Sequence, residues 1–361
     1  MVTGIRRAGF VLLLALVFIL AACGSGSEKA DETRTKFSIG WSIYAGWMPW
    51  PYAEQSGIVE KWADKYGIEI DVVQVNDYVE SVNQYTAGKF DGVTVANMDA
   101  LTIPAAGGKD TTALIVGDYS NGNDGIVLKG ETELAAIEGQ KVNLVELSVS
   151  HYLLARGLNS LDKPLTAVDT INTSDADIAG AFSSSQITAA VAWNPQLTSI
   201  KELEGANLVF SSADIPGEIL DLLVVDTKTL EAHPELGKAL TGIWYETVGL
   251  MIQQDEAGQS ARAAMAKLAG ATPEQFDGQL STTYLYADPE AAVAATASPD
   301  LIETMKLVRD FSFEQGLFGQ GARSADAVGM SFPGGETLGD ANSITLRFDT
   351  TFMQMAADGS L

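Results

Sequence analysis

Between residues 37 and 225 strand patterns and helix patterns take turns, and this alternation limits the chain to a small group of folds. FSIGW (37–41) reads as a short strand. Ile58, Val59, Trp62, Ala63 and Tyr66 follow at helical spacing, with Gly67 placed to end the helix. IEIDVVQV (68–75) is a strand, 78–87 a helix closed by Gly88, 93–96 a strand, 99–106 a helix and TALIVGDY (112–119) a buried strand. GIVLK, KVNLVEL, ITAAVAW, NLVFSS and DLLVV continue the β pattern with helices between most of them. This rhythm predicts a mostly parallel, doubly wound α/β architecture. After residue 225 helices dominate, at 233–253, 258–268 and 300–315. The reading is two lobes: lobe one from 37–122 plus 228–361, lobe two from 123–227. The chain would cross near 123–129 and return near 221–227, both extended and apolar.

The N-terminus sets location. Arg6 and Arg7 precede an apolar run at 10–20 (FVLLLALVFIL), and then Leu20-Ala21-Ala22-Cys23 places small residues before a cysteine. That order is a lipoprotein signal peptide (1–22) with Cys23 as lipidation site, and the run is shorter than the ~20 residues of a membrane span. Residues 23–36 read as a flexible tether. Cys23 is the only cysteine, so a lipidated chain keeps no thiol for a disulfide, thiolate metal site or nucleophile. There are two histidines, His151 and His233, which argues against a histidine metal cluster. Loss of Arg6 and Arg7 leaves 20 basic residues against 47 acidic ones, a net charge of −27. Such a chain repels nucleic acid and anionic membranes. The charge suits a cationic or neutral ligand, and equally serves solubility.

Several segments are similar to a known family. YTAGKFDGVTVANMDALTIPAAGG (85–108), ITAAVAWNP (187–195) and AHPELGKAL (232–240) resemble the solute-binding proteins of ABC importers, in the nitrate, sulfonate and taurine branch. GWSIYAGWMPWPYA (40–53), VGDYSNGNDGIV (116–127), VNLVELSVSHYLLAR (142–156) and PGEILDLLVV (216–225) resemble the subgroup whose transporters are encoded beside urea carboxylase or guanidine carboxylase genes. The resemblance implies the two-lobed type II periplasmic-binding-protein-like fold. It also implies a monomeric, non-enzymatic binding protein with no cofactor. Its partners would be a small-molecule ligand and an ABC permease with its ATPase. It would touch the membrane through its lipid alone, on the outer face of the cytoplasmic membrane or in the periplasm.

In open α/β sheets ligands sit beyond the C-terminal ends of strands. After the first strand come Trp41, Tyr44, Trp47 and Trp50; of these Trp41, Tyr44 and Trp47 are candidates, since aromatic faces attract planar cations. After the third strand Asp99 puts a carboxylate where the anion-binding relatives offer N–H groups, or is an ordinary helix cap. After the fourth, Asp118 and Asn123 lie in a polar, turn-prone stretch. After the first strand of lobe two come Glu146 and Ser148; Glu146 is expected to pair with a cation, and Ser148 to cap the next helix while touching ligand. Trp193 ends a strand before Asn194-Pro195, and Glu218 lies near the return crossing. Together these residues suit a small planar nitrogenous cation, with guanidinium as best guess. Neutral urea or a small amide is the alternative. A weaker third reading is an envelope enzyme acting on an aminopyrimidine, although no free cysteine and no Gly-x-Ser-x-Gly supplies a nucleophile. The anchor is tested by labelled palmitate: wild type takes up label, Cys23→Ser takes up none, and labelled Cys23→Ser protein would refute the lipobox.

Overall fold

The computed structural model describes residues 33–361. Signal peptide, Cys23 and most of the tether lie outside the described residues. In chain order the strands are β1 (Lys36–Trp41), β2 (Glu69–Gln74), β3 (Gly92–Ala96), β4 (Thr111–Ser120), β5 (Asp124–Lys129), β6 (Lys141–Leu144) and β7 (Asp169–Asn172). They continue with β8 (Ala189–Trp193), β9 (Ala206–Ser211), β10 (Leu220–Asp226), β11 (Thr283–Leu285), β12 (Gly329–Ser331), β13 (Thr337–Leu338) and β14 (Ile344–Phe348). They form two sheets. One runs β13-β12-β14-β4-β10-β3-β1-β2, with β11 on the end of β4; the other runs β7-β6-β8-β5-β9.

The strand and helix pattern of residues 37–119 is recovered. The helix Ile58–Tyr66 ends at Gly67, whose φ of 69° lets its N–H reach the Ala63 and Asp64 carbonyls. Asp77 caps the helix Tyr78–Thr86 by accepting from the Glu80 N–H at 2.8 Å. Ser148 caps the helix Val149–Asn159 through the Ser150 N–H.

Three expectations are corrected. The sheets are mixed: β10 runs antiparallel to β3 and β4, and β5 antiparallel to β8 and β9. The two passages between sheets are 121–123 and 212–219, not 123–129 and 221–227. The latter segments are β5, inside the second sheet, and β10, paired along its length with β3 and β4. An apolar run buried between two neighbours reads the same as an extended connector. The third correction concerns the C-terminal part, where the helices Pro234–Met251, Glu256–Leu268 and Pro299–Glu314 form as expected but β11–β14 extend the first sheet. Several of those strands span only two or three residues, too short to show a period.

The two passages are tied together. Ser212 Oγ lies 2.6 Å from Ser120 Oγ and accepts from the Gly122 N–H at 2.8 Å. Two helix N-termini also face carboxylates from the opposite sheet's layer. Asp175, opening the helix Asp175–Phe182, takes the Tyr78 N–H; Asp99, after β3, faces the Val149 N–H. Each places negative charge at a positive helix end. Phe311 adds apolar contact, meeting His151 at 6.0 Å and Tyr152 at 5.3 Å edge-on.

Beneath β4 the core is tightly filled. Trp244 is buried and stacks on Trp50 at 5.7 Å, and a Cβ on Gly117 would lie 2.7 Å from its ring. Gly117→Ala is therefore expected to lower the unfolding free energy by about 1–3 kcal/mol. Urea denaturation measures it, and an unchanged midpoint would mean that Trp244 has room to move.

Candidate functional site

The mixed topology brings several strand ends to one place. β1, β3, β4 and β8 end at the edge where the sheets meet. β10 and β5 run the other way, so they start there. Asp221 at the start of β10 lies opposite Asp118 near the end of β4, and Asp124 at the start of β5 lies opposite Trp193 at the end of β8.

Between the sheets lies a small cavity of about 20 Å³, walled by Tyr44, Trp47, Tyr78, Ala96, Asp124, Val149, Trp193, Ile219 and Asp221. Four rings form a chain around it. Tyr44 meets Trp47 edge-on at 5.0 Å, Trp47 lies 5.7 Å from Tyr78, and Tyr78 meets Trp193 at 5.7 Å and 74°. The last contact joins the layers of the two sheets. The Trp47 indole N–H is buried and has no protein partner.

The polar side of the wall is acidic. Tyr44 Oη donates to Asp118 Oδ1 at 2.9 Å. Ser120 Oγ donates to Asp124 Oδ2 at 2.5 Å. Tyr78 Oη donates to Asp99 Oδ2 at 2.6 Å while accepting from the Ala96 N–H at 3.1 Å. Asp118 and Asp221 face each other across the β4–β10 ladder, and Asp118 Oδ2 has no hydrogen-bond partner. No lysine, arginine or histidine lines this wall. Burial raises Asp118 and Asp99 to about 7 and Asp124 to about 6. Burial, then repulsion from Asp118 and Asp124, pushes Asp221 well above the carboxylate range.

The structure brings Tyr44, Trp47 and Trp193 onto the wall, with Asp118 and Asp99 directly behind it. Ser148 starts the helix whose first residue, Val149, lines the cavity. Four expected residues stand elsewhere. Trp41 is buried in the core. Asn123 is buried in the first passage, its side-chain oxygen accepting from Thr282. Glu146 is turned to the sheet edge: Leu147, at φ 65°, swings the chain so that the Glu146 N–H donates to Asn172 Oδ1 and its carboxylate accepts from Thr170. Glu218 already has a cation, with Arg156 Nε and Nη2 at 2.8 and 2.9 Å and Tyr152 donating as well.

Tyr78 and Asp221 were missed, and Asp124 was passed over within its turn-prone stretch. Tyr78 comes shortly after β2, past Val75, Asn76 and Asp77, so the rule applied to other strand ends would have reached it. Asp221 is a single acid inside the apolar run ILDLLVV, and its neighbour across the ladder is invisible in one dimension.

The geometry and strand order define a periplasmic-binding-protein-like α/β fold, which solved structures share. The alkanesulfonate-binding protein SsuA from Xanthomonas axonopodis pv. citri, bound to MOPS, superposes with a TM-score of 0.66 at 18% identity, over 81% of this chain and 98% of that one. The periplasmic nitrate-binding protein NrtA from Synechocystis PCC 6803 gives 0.57 at 13% identity, over 91% and 99%. In sequence the chain is similar to a Bacillus subtilis (strain 168) protein provisionally named as aliphatic sulfonates-binding. They share 25% identity over 236 residues, 63% of this chain and 69% of that protein. No protein-family model matches the chain.

The raised carboxyls have a consequence for stability. Groups whose folded pKa lies above the unfolded value near 3.9 favour folding when protonated, and that contribution is lost as pH rises through the folded pKa. The empty protein's Tm is expected to fall from pH 6 to pH 8 as these carboxyls ionise. Asp221→Asn should flatten the fall. A Tm that is level or rises over that window would contradict a buried, uncompensated cluster.

Proposed function

We propose that this protein is the extracytoplasmic solute-binding component of an ABC importer, anchored through Cys23, that closes around a small planar nitrogenous cation, with guanidinium as the ligand. The fold and the similarity to importer-type binding proteins support the transport role. One observation carries the ligand: Asp124 and Asp221, backed by Asp118, face an aromatic cavity whose wall has no basic residue. The ligands named for the similar proteins, sulfonates and nitrate, are anions, and this wall would repel them.

Guanidinium fits the donor and acceptor balance. It carries six N–H groups and two flat faces, and carboxylates accept paired N–H bonds from such a fork. Trp47, Trp193, Tyr44 and Tyr78 supply ring faces and edges, each cation–π contact contributing about 0.5–2 kcal/mol. A metal ion suits the wall less well. Among the described residues no group of three or more His, Cys, Asp or Glu is arranged to hold one. Neutral urea would leave the buried acids without a counter-charge, which is costly. Lobe closure about 121–123 and 212–219 follows from the same reading, since ligand would join Tyr78 and Trp193 across the layers.

Calorimetric titration of the tether-deleted protein tests this reading. Guanidinium is expected to bind more tightly than urea, with taurine and nitrate giving no heat. Asp221→Asn removes a buried charge partner and is expected to cost about 2–5 kcal/mol of guanidinium affinity. Glu146→Gln, aimed at the sheet edge, is expected to change it by less than about 0.5 kcal/mol. Tighter binding of taurine, nitrate or urea than of guanidinium would overturn the cation reading.

A further inference from the structure

We propose that the empty site stores a proton between Asp118 and Asp221, and that the incoming cation displaces it, so that uptake of one cation releases one proton. This rests on the cation reading of the site given above. Asp118 on β4 and Asp221 on β10 are direct partners in an antiparallel ladder, and both are buried. As direct cross-strand partners in an antiparallel pair, their Cβ atoms lie about 4.5–5.5 Å apart, which brings the two carboxyl groups together. Two ionised carboxylates have only acceptors, so one of the pair must carry a proton for them to bond to each other. Asp118 Oδ2 is buried with no hydrogen-bond partner, the place where a shared proton would sit.

The surroundings supply no substitute. Tyr44 reaches Asp118 from the turn after β1, and Tyr78 lies near Asp221 from the helix after β2. Asp124 faces both from the start of β5, and Tyr286 lies near Asp118 from beyond β11. These groups are neutral or negative. Among the described residues neither Asp118 nor Asp221 forms an ion pair with a lysine, arginine or histidine. Like charges held this close cannot both ionise in a dry site, and they titrate as one unit.

A cation resting on Asp221 and Asp124 changes this condition. Its positive charge and N–H donors take over the role of the shared proton, which leaves to solvent. One positive charge enters and one leaves, so the buried net charge is constant and no additional charge is desolvated. A neutral ligand brings no charge and leaves the proton in place. The pair is therefore a discriminator as well as a store.

The experiment is calorimetric titration with guanidinium chloride at pH 6, 7 and 8. Each titration is run in at least two buffers of different ionisation enthalpy, on wild type and on Asp221→Asn. The dependence of observed heat on buffer enthalpy counts protons. Wild type is expected to release close to one proton at pH 6, with affinity rising toward about tenfold per pH unit where the pair is still protonated. Asp221→Asn, which keeps a hydrogen-bond donor but cannot share an acidic proton, is expected to bind more weakly and to release well under half a proton. Guanidinium binding with no proton release at pH 6 overturns the proton store and leaves the cation reading standing. Absence of guanidinium binding at all three pH values overturns both. The wild-type count alone decides the inference if Asp221→Asn fails to fold.

Discussion

The register of β4 against β10 places Asp118 and Asp221 side by side at the edge where the two sheets meet, and the chemistry of the site depends on that juxtaposition. Two buried carboxyls without a basic neighbour are an electrostatic debt in the empty protein. The structure meets it locally with hydroxyls: Tyr44 on Asp118, Ser120 on Asp124 and Tyr78 on Asp99. Each hydroxyl satisfies one lone pair and leaves the charge in place. The site is thus preorganised toward positive charge, since its counter-ion is absent and Asp118 Oδ2 and Asp99 Oδ1 stay unpartnered.

The aromatic chain gives the acids their setting. Tyr44, Trp47, Tyr78 and Trp193 come from the loop after β1, the helix after β2 and the end of β8, so three separate elements close a single ring system. Rings with few rotatable bonds hold their positions at low entropic cost and keep water from screening the carboxyls. Tyr78 has two duties, as a wall residue and as the hydroxyl that orders Asp99. Around the cavity the two layers exchange carboxylates at helix ends, Asp175 for the helix at Tyr78 and Asp99 for the helix at Val149. These contacts join the two layers around the cavity and hold its walls together.

Much of the fold was legible from residue 37 to residue 119, because long alternating elements with Gly67, Gly88 and Asp77 at their ends report helix and strand directly. Strand direction was not legible. β5 and β10 are apolar runs like their neighbours, and only pairing shows that they run antiparallel. The site was partly legible for the same reason. The rule of looking beyond strand ends found Tyr44, Trp47 and Trp193, and it found Asp99 and Asp118 just behind them. It misplaced Glu146 because a left-handed Leu147 redirects the chain, and Glu218 because Arg156 lies 62 positions away in sequence and already holds it.

By itself the sequence determined the alternation of elements, the surplus of acid over base, the aromatic density after the first strand and the placing of Cys23 behind an apolar leader. These are local or additive properties, set by neighbours in the chain or by simple counts. Only the tertiary structure decided which acids face a cavity, which are neutralised by a distant arginine, and which lie opposite each other across a ladder. Those outcomes depend on distances of a few ångströms between residues about a hundred positions apart, such as Asp118 and Asp221, and no sequence spacing encodes them. Electrostatic interaction in a buried site is set by separation and dielectric, and both come into being only when the sheets pack.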